Sequence, residues 1–159
     1  MNQIAIIANR SFETDPCGER TPLRILEATL HALSEGRISD AVRQFDECFT
    51  FTDHGLDLEF NDRPRLIEFF KKARELFPDT VVEVLSTCEA GDQAVAEWKI
   101  TATETVRYGS LPLRRPISFR GVSVAHLRNG RIAEWSDYYD QLCSRRVNLA
   151  GYFTEWVEL

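Results

Sequence analysis

The apolar residues of this chain change their spacing close to residue 80, and that change restricts the fold more than any other feature of the sequence. Before it, apart from one interposed strand, they recur every three to four residues, as on one face of a helix; after it they run in long β-prone segments joined by turn signals. The helical part is well punctuated. Thr21 stands as an N-cap with Pro22 in the first turn, Leu23, Leu26, Leu30 and Leu33 share one face, and Gly36 closes the helix. Ser39 is placed to cap a shorter second helix that buries Val42 and Phe45. A strand then runs from Cys48 to Asp53, where the period of two puts Phe49, Phe51 and Asp53 on one side. A loop from His54-Gly55 to Phe60 leads to a third helix capped by Asp62, with Pro64 in its first turn and Leu66, Phe69, Phe70, Ala73 and Phe77 as its stripe; Pro78 stops it.

The strands that follow are Thr80–Cys88, Gln93–Tyr108, Pro116–Arg128 and Ile132–Asp140, with tight turns at Ala90-Gly91-Asp92 and Asn129-Gly130. Three helices followed by hairpin-linked strands make an α+β chain with a mainly antiparallel sheet. The length of 159 residues fits one domain, read as residues 20–150 between an arm (1–19) and a polar tail (151–159). A net charge of -6 argues against nucleic acid as a partner, since phosphate neutralisation needs a basic face. The longest apolar run, Ile4 to Ala8, is too short for a bilayer span or a secretory segment, so no membrane partner and a cytoplasmic location are expected. Cys17, Cys48, Cys88 and Cys143 are scattered without metal-ligand spacing; free thiols, buried or half-buried, and no metal site are expected.

Two segments sharpen the picture. Phe45-Asp46-Glu47-Cys48-Phe49-Thr50-Phe51-Thr52-Asp53 resembles the second-helix-to-first-strand segment of the nuclear transport factor 2-like superfamily. Asn129-Gly130-Arg131-Ile132-Ala133-Glu134-Trp135-Ser136-Asp137-Tyr138-Tyr139-Asp140 is similar to the last hairpin of SnoaL-type polyketide cyclases and limonene epoxide hydrolases. The resemblance covers roughly Leu23 to Leu149 and implies a cone-shaped fold in which three helices pack in a strongly curved sheet around an apolar pocket. It also provides tests by position. The ketosteroid isomerase base matches Asp53, but the oxyanion-hole Tyr and Asp of that group match Thr29 and Ser123. The last-strand acid/base Asp of the cyclases and epoxide hydrolases matches Asp137, and the cyclase His again falls on Ser123. The water-holding Tyr and Asn of the hydrolases match Phe51 and Asp53. Their Arg and Asp on the middle strand match Trp98 and Ile100 in one strand phase, while the other phase offers Glu97 and Lys99.

Together, Phe49, Phe51, His54, Trp98, Ile100, Ser123, Trp135 and Tyr139 are the expected ligand-binding set, with Asp137 and Asp53 as the catalytic pair and no cofactor. Apolar walls disfavour an ionised carboxylate and bring its pKa toward neutrality, which suits proton transfer at carbon or at an epoxide oxygen. A plainer reading of Asp137 is a buried partner of Arg or of backbone donors near a strand end, and of Asp53 an acceptor in the turn at His54-Gly55. Two functions therefore stand side by side. One is a small enzyme of cyclase, isomerase or hydrolase type acting on an apolar carbonyl or epoxide compound. The other is a non-catalytic binder of a small hydrophobic ligand. Val81, Leu85, Val122 and Val124 alternate opposite to the pocket set and lead to the expectation of a homodimer across that face.

Overall fold

A computed structural model gives residues 21–108 and 111–140, as backbone only over 105–108 and 111–113. The N-terminal arm, the C-terminal tail, Cys17 and Cys143 lie outside the described residues. Helix α1 spans Pro22–Ser34, capped by the Thr21 hydroxyl, which accepts from the Arg24 N–H at 3.4 Å. Gly36 then takes φ +73, a left-handed conformation that ends helices at little cost only for glycine. Helix α2 (Ile38–Val42) starts two residues earlier than Ser39 would allow as a cap, with Arg37 at the cap position. The Arg37 carbonyl already accepts from the Asp40 and Ala41 N–H groups, so Ser39 lies inside the first turn. Helix α3 spans Arg63–Leu76, and Asp62 caps it by accepting from the Arg65 N–H at 2.9 Å.

Six strands follow the order β2-β1-β6-β5-β4-β3 in one sheet. They are β1 (Phe45–Asp53), β2 (Leu58–Phe60), β3 (Val81–Ala90), β4 (Gln93–Tyr108), β5 (Leu111–Arg128) and β6 (Arg131–Tyr139). The sheet is antiparallel except where β1 lies parallel to β6. β2 stands where a loop was expected, because three residues are too few to display alternation. β5 begins before Pro116, since residues from Leu111 onward pair with the end of β4. β6 reaches only as far as Gly121 on the other side, so this stretch of β5 is an edge where proline's missing N–H is tolerated. Asn129 (φ 53) and Gly130 (φ 71) form the expected hairpin turn. Register shifts at Val84/Ser86, Phe45/Thr50 and His126/Leu127 are bulge positions, where strands bend and a sheet can curl.

The helices fill the concave face of this curved sheet. Leu26, Leu66, Phe45, Phe51, Ile132 and Trp135 are buried there, and Ala94, Ala96 and Ala125, with no exposure at all, let α1 approach β4 and β5. Phe51 receives Phe70 edge-on at 5.4 Å and lies beside Trp135 with the rings nearly parallel. On the convex face Val122 and Val124 are half-buried, Leu85 is exposed, and Tyr138 is 47% exposed. Cys48 and Cys88 are free but exposed, not buried as expected: Cys48 lies opposite to Phe49 on β1, and Cys88 is on the edge strand β3. Among the described residues no helix is long and apolar enough to cross a membrane, and no group of three His, Cys, Asp or Glu is placed to hold a metal ion.

Candidate functional site

Between α1, α3 and the concave sheet lies a cavity of about 210 Å³. Register explains what faces it. The parallel pairing sets Asp53 of β1 beside Asp137 of β6, and the antiparallel pairing sets Ser123 of β5 on the other side of Asp137. One row across the sheet therefore carries carboxylate, carboxylate and hydroxyl. In the flanking row Tyr139 is opposite Gly121, which is opposite Trp98.

Asp137 is held by neutral donors. Its Oδ1 accepts the Ser123 hydroxyl at 2.5 Å and the Trp135 indole N–H at 2.8 Å. Ser123 is in turn fixed by the Trp98 indole N–H, which donates to its oxygen at 2.8 Å. Among the described residues no Lys or Arg pairs with Asp137, and its Oδ2 has no hydrogen-bond partner. Burial pushes the Asp137 carboxyl up to about 7, the neighbouring Asp53 charge pushes the same way, and the bonds from Ser123 and Trp135 oppose them. Asp53 is also raised by burial, against the Tyr139 hydroxyl and the N–H groups of Leu56 and Gly55, which stabilise its charge. The Tyr139 hydroxyl donates to Asp53 Oδ1 at 2.8 Å and the Leu56 N–H at 2.9 Å. Tyr139 is itself driven up by burial and by that carboxylate, so it stays a neutral donor. Since the Asp53 charge also raises Asp137, the two carboxyls titrate as a coupled pair, and of the two Asp53 has the donors that favour its charge from Tyr139, Leu56 and Gly55.

Of the residues expected from sequence, Asp53, Asp137, Trp98, Ile100, Trp135 and Tyr139 line the cavity. Trp98 and Ile100 face inward, while Glu97 turns outward to Arg120 at 2.8 Å and to Ser86. The phase that offered Glu97 and Lys99 is thereby excluded, and the Arg and Asp positions of the hydrolase pattern hold Trp98 and Ile100. Phe49 and Phe51 do not reach the wall: both are core residues, with α3 aromatics covering Phe51. Ser123 is buried, held between the Trp98 indole and Asp137. His54 leaves the site altogether, because it follows Asp53 by one residue and so points to the opposite face, where it stacks on Tyr138 at 4.2 Å. Thr29 is buried with its hydroxyl donating to the Ile25 carbonyl and does not line the cavity. The turn role considered for Asp53 holds as well, through the Leu56 bond.

Other site residues escaped the sequence. A Cβ on Gly121 would come within 2.3 Å of the Trp98 ring, and one on Gly55 within 2.1 Å of the Tyr139 ring. These glycines clear the space for two walls, but a lone glycine in a strand or turn announces no particular neighbour. Leu30, Phe70, Ala73 and Arg74 complete the helical side.

A helix-filled, curved sheet whose last strand carries a cavity-facing Asp beside the first strand defines a protein of the nuclear transport factor 2-like fold. Residues 26–135 match the profile of the SnoaL-like domain, and the chain belongs to that family. No curated protein matches the sequence. Among solved structures, it is similar to a nuclear transport factor 2-like protein of Burkholderia thailandensis (TM-score 0.70, 15% identity, covering 82% of this chain and 98% of that one). It is also similar to IdmH of Streptomyces antibioticus, a candidate polyketide cyclase (TM-score 0.68, 15% identity, 80% and 97% covered). A third is AclR of Streptomyces galilaeus, a candidate hydroxylase (TM-score 0.64, 17% identity, 78% and 82% covered). At these identities the likeness is one of fold.

Proposed function

We propose that the chain is a small-molecule enzyme that performs acid/base chemistry on an apolar carbonyl or epoxide compound, with Asp137 as general acid and Asp53 as its ionised partner. The observation that carries this reading is the setting of Asp137: it lines an apolar cavity and lacks a basic partner among the described residues, and burial there pushes its carboxyl up to about 7. Because Oδ1 already accepts two donors, the acidic proton belongs on Oδ2, the oxygen with no partner among the described residues. A carbonyl or epoxide oxygen bound there receives that proton. Asp53, carrying its charge on the same wall, accepts a proton from the carbon beside a carbonyl, or from a water that opens an epoxide. For a ketone the sum is an enol, one proton having moved from carbon to Asp53 and another from Asp137 to oxygen; the pair resets by passing a proton back. The same reading holds the protein to be a cytoplasmic homodimer that pairs across the convex face, supported by Val122, Val124, Leu85 and the 47% exposed ring of Tyr138.

Exchange of the α-hydrogens of 2-tetralone in D2O, with opening of styrene oxide in parallel, tests the chemistry. Wild type is expected to accelerate at least one of the two, and Asp137→Asn to reduce that rate by roughly 10²–10⁴. The rate for wild type should fall about tenfold per pH unit above about 7, as Asp137 loses its proton. Binding of both compounds without any acceleration would discard the enzyme and leave a binder of small hydrophobic ligands.

A further inference from the structure

Among the described residues, the cavity has one cation on its wall. Arg74 of α3 is that residue, and it stands apart from the carboxylates: it is not among the groups that shift either Asp53 or Asp137. Its place is fixed by two features of the α1 end. Nη1 donates to the Ser34 carbonyl at 2.9 Å, and Nε and Cζ lie over Gly36, where a Cβ would come within 2.9 Å and 3.1 Å of them. Among the described residues only one of the five guanidinium N–H donors is used in this way and no carboxylate answers the charge. Gly36 would be needed for its positive φ alone; that it also forms the bed of the guanidinium ties the helix end to the cavity wall.

We propose that Arg74 binds the carboxylate of the ligand, so that the natural ligand is an apolar monocarboxylic acid whose reactive carbonyl or epoxide lies against Asp137. The inference rests on the proposed function for the second half of that statement, and on the cavity alone for the first. A planar guanidinium with unused donors matches a carboxylate in geometry and charge. A dianion such as a phosphate monoester would leave charge uncompensated, since no second cation lines the wall among the described residues. The protein's own charge of -6 and the ionised Asp53 on the wall repel anions, so any preference for an anionic ligand must be local, and Arg74 is the local source.

The test uses 1-naphthaleneacetate and its neutral analogue 1-naphthaleneethanol, with binding followed by titration calorimetry on the full chain. Wild type is expected to bind the acid at least tenfold more tightly than the alcohol. Arg74→Met, which keeps an unbranched apolar stem, should abolish that preference while leaving the alcohol's affinity within about twofold, and Arg74→Lys should restore part of it. High salt should weaken the acid and leave the alcohol unchanged. Equal binding of acid and alcohol by wild type, or equal loss of both in Arg74→Met, would reduce Arg74 to a cap on α1 and leave the proposed chemistry standing. Failure of wild type to bind either compound would remove the cavity as a ligand site, and both proposals with it. Arg74→Lys covers the case in which the Met variant is too unstable to assay, because it keeps a donor for the Ser34 carbonyl.

Discussion

Replacing Asp137 by Asn changes one oxygen for an NH₂ group and should leave the local bonds in place, since the amide oxygen can still accept from Ser123 and Trp135. What it removes is a titration. In the folded chain Asp137 keeps its proton up to about pH 7, whereas unfolded it loses it near 3.8. Between these values the unfolded state binds fewer protons than the folded one, so the wild-type protein loses stability as pH rises. The penalty is absent below 3.8, grows through the interval and is constant above about 7. At roughly 1.4 kcal/mol per pH unit, the full span is on the order of 4 kcal/mol. The Asn variant escapes it. Relative to wild type it should gain nothing at pH 4 and on the order of 4 kcal/mol at pH 8, a difference of roughly 10 °C in Tm for a chain of this size.

Thermal melts of both proteins at half-unit steps from pH 4 to 8.5 read the effect directly, with the shape of the difference curve as the diagnostic. A flat difference, or an Asn variant that is less stable at pH 8 than at pH 4 relative to wild type, would refute the reasoning. Either result would mean that the folded carboxylate is ionised and compensated at neutral pH, as for a buried ion-pair member, whose replacement destabilises by leaving its partner alone.

Asp53→Asn should move the Asp137 titration downward, because it deletes the neighbouring charge that helps to raise it; carboxyl NMR shifts followed against pH would show this, and an unmoved midpoint would contradict the coupling. Gly121→Ala drives a methyl into the Trp98 ring at 2.3 Å and toward the Tyr138 carbonyl at 2.7 Å. With Trp98 pinned to Ser123, we expect a loss of about 1–3 kcal/mol by chemical denaturation and weaker ligand binding, whereas an unaffected protein would mean that the indole is free to move. Tyr138→Asp puts a charge in the convex face and should convert the proposed dimer into a monomer, read by light scattering; a wild-type monomer at micromolar concentration would end the dimer proposal.

Period carried most of the fold into view. Caps at Thr21 and Asp62, the left-handed Gly36 and the Asn129-Gly130 turn are local chemistry, and each stands where its side chain or φ requires. What period could not convey was length at the margins: β2 has three residues, and the early part of β5 carries prolines that edge position alone makes tolerable. The site was legible in the same measure. Alternation set Trp135, Asp137 and Tyr139 on one face, and all three line the cavity. Alternation alone also grouped Phe49 and Phe51 with them, because it assigns a face and not what lies over that face; α3 lies over Phe51. His54 belongs to the expected ligand-binding set only through its nearness to Asp53 in sequence, and the alternation that puts Asp53 inside turns it to the other face.

The most consequential feature of the site belongs to neither sequence neighbourhood nor alternation. Trp98, Ser123, Asp137 and Trp135 come from three strands, and their bonds form a relay in which each indole N–H ends, directly or through the Ser123 hydroxyl, on one carboxylate oxygen. In sequence the replacement of the cyclase His and the isomerase Asp by Ser123 reads as a lost catalytic partner. In three dimensions that serine joins Trp98 to Asp137. A His or Asp there would add a charge or compete for the Asp137 proton. A serine and two indoles donate without taking it, and so leave the proton on Oδ2 to the cavity. Ser123→Ala should therefore raise the Asp137 pKa beyond about 7, since it deletes a bond that favours the ionised form, and should strand the Trp98 N–H in a buried position. The basic limb of the pH–rate profile would move upward while stability falls by about 1–3 kcal/mol. A limb that moves downward would show that the serine stabilises the neutral acid, and the roles of Oδ1 and Oδ2 would then have to be exchanged.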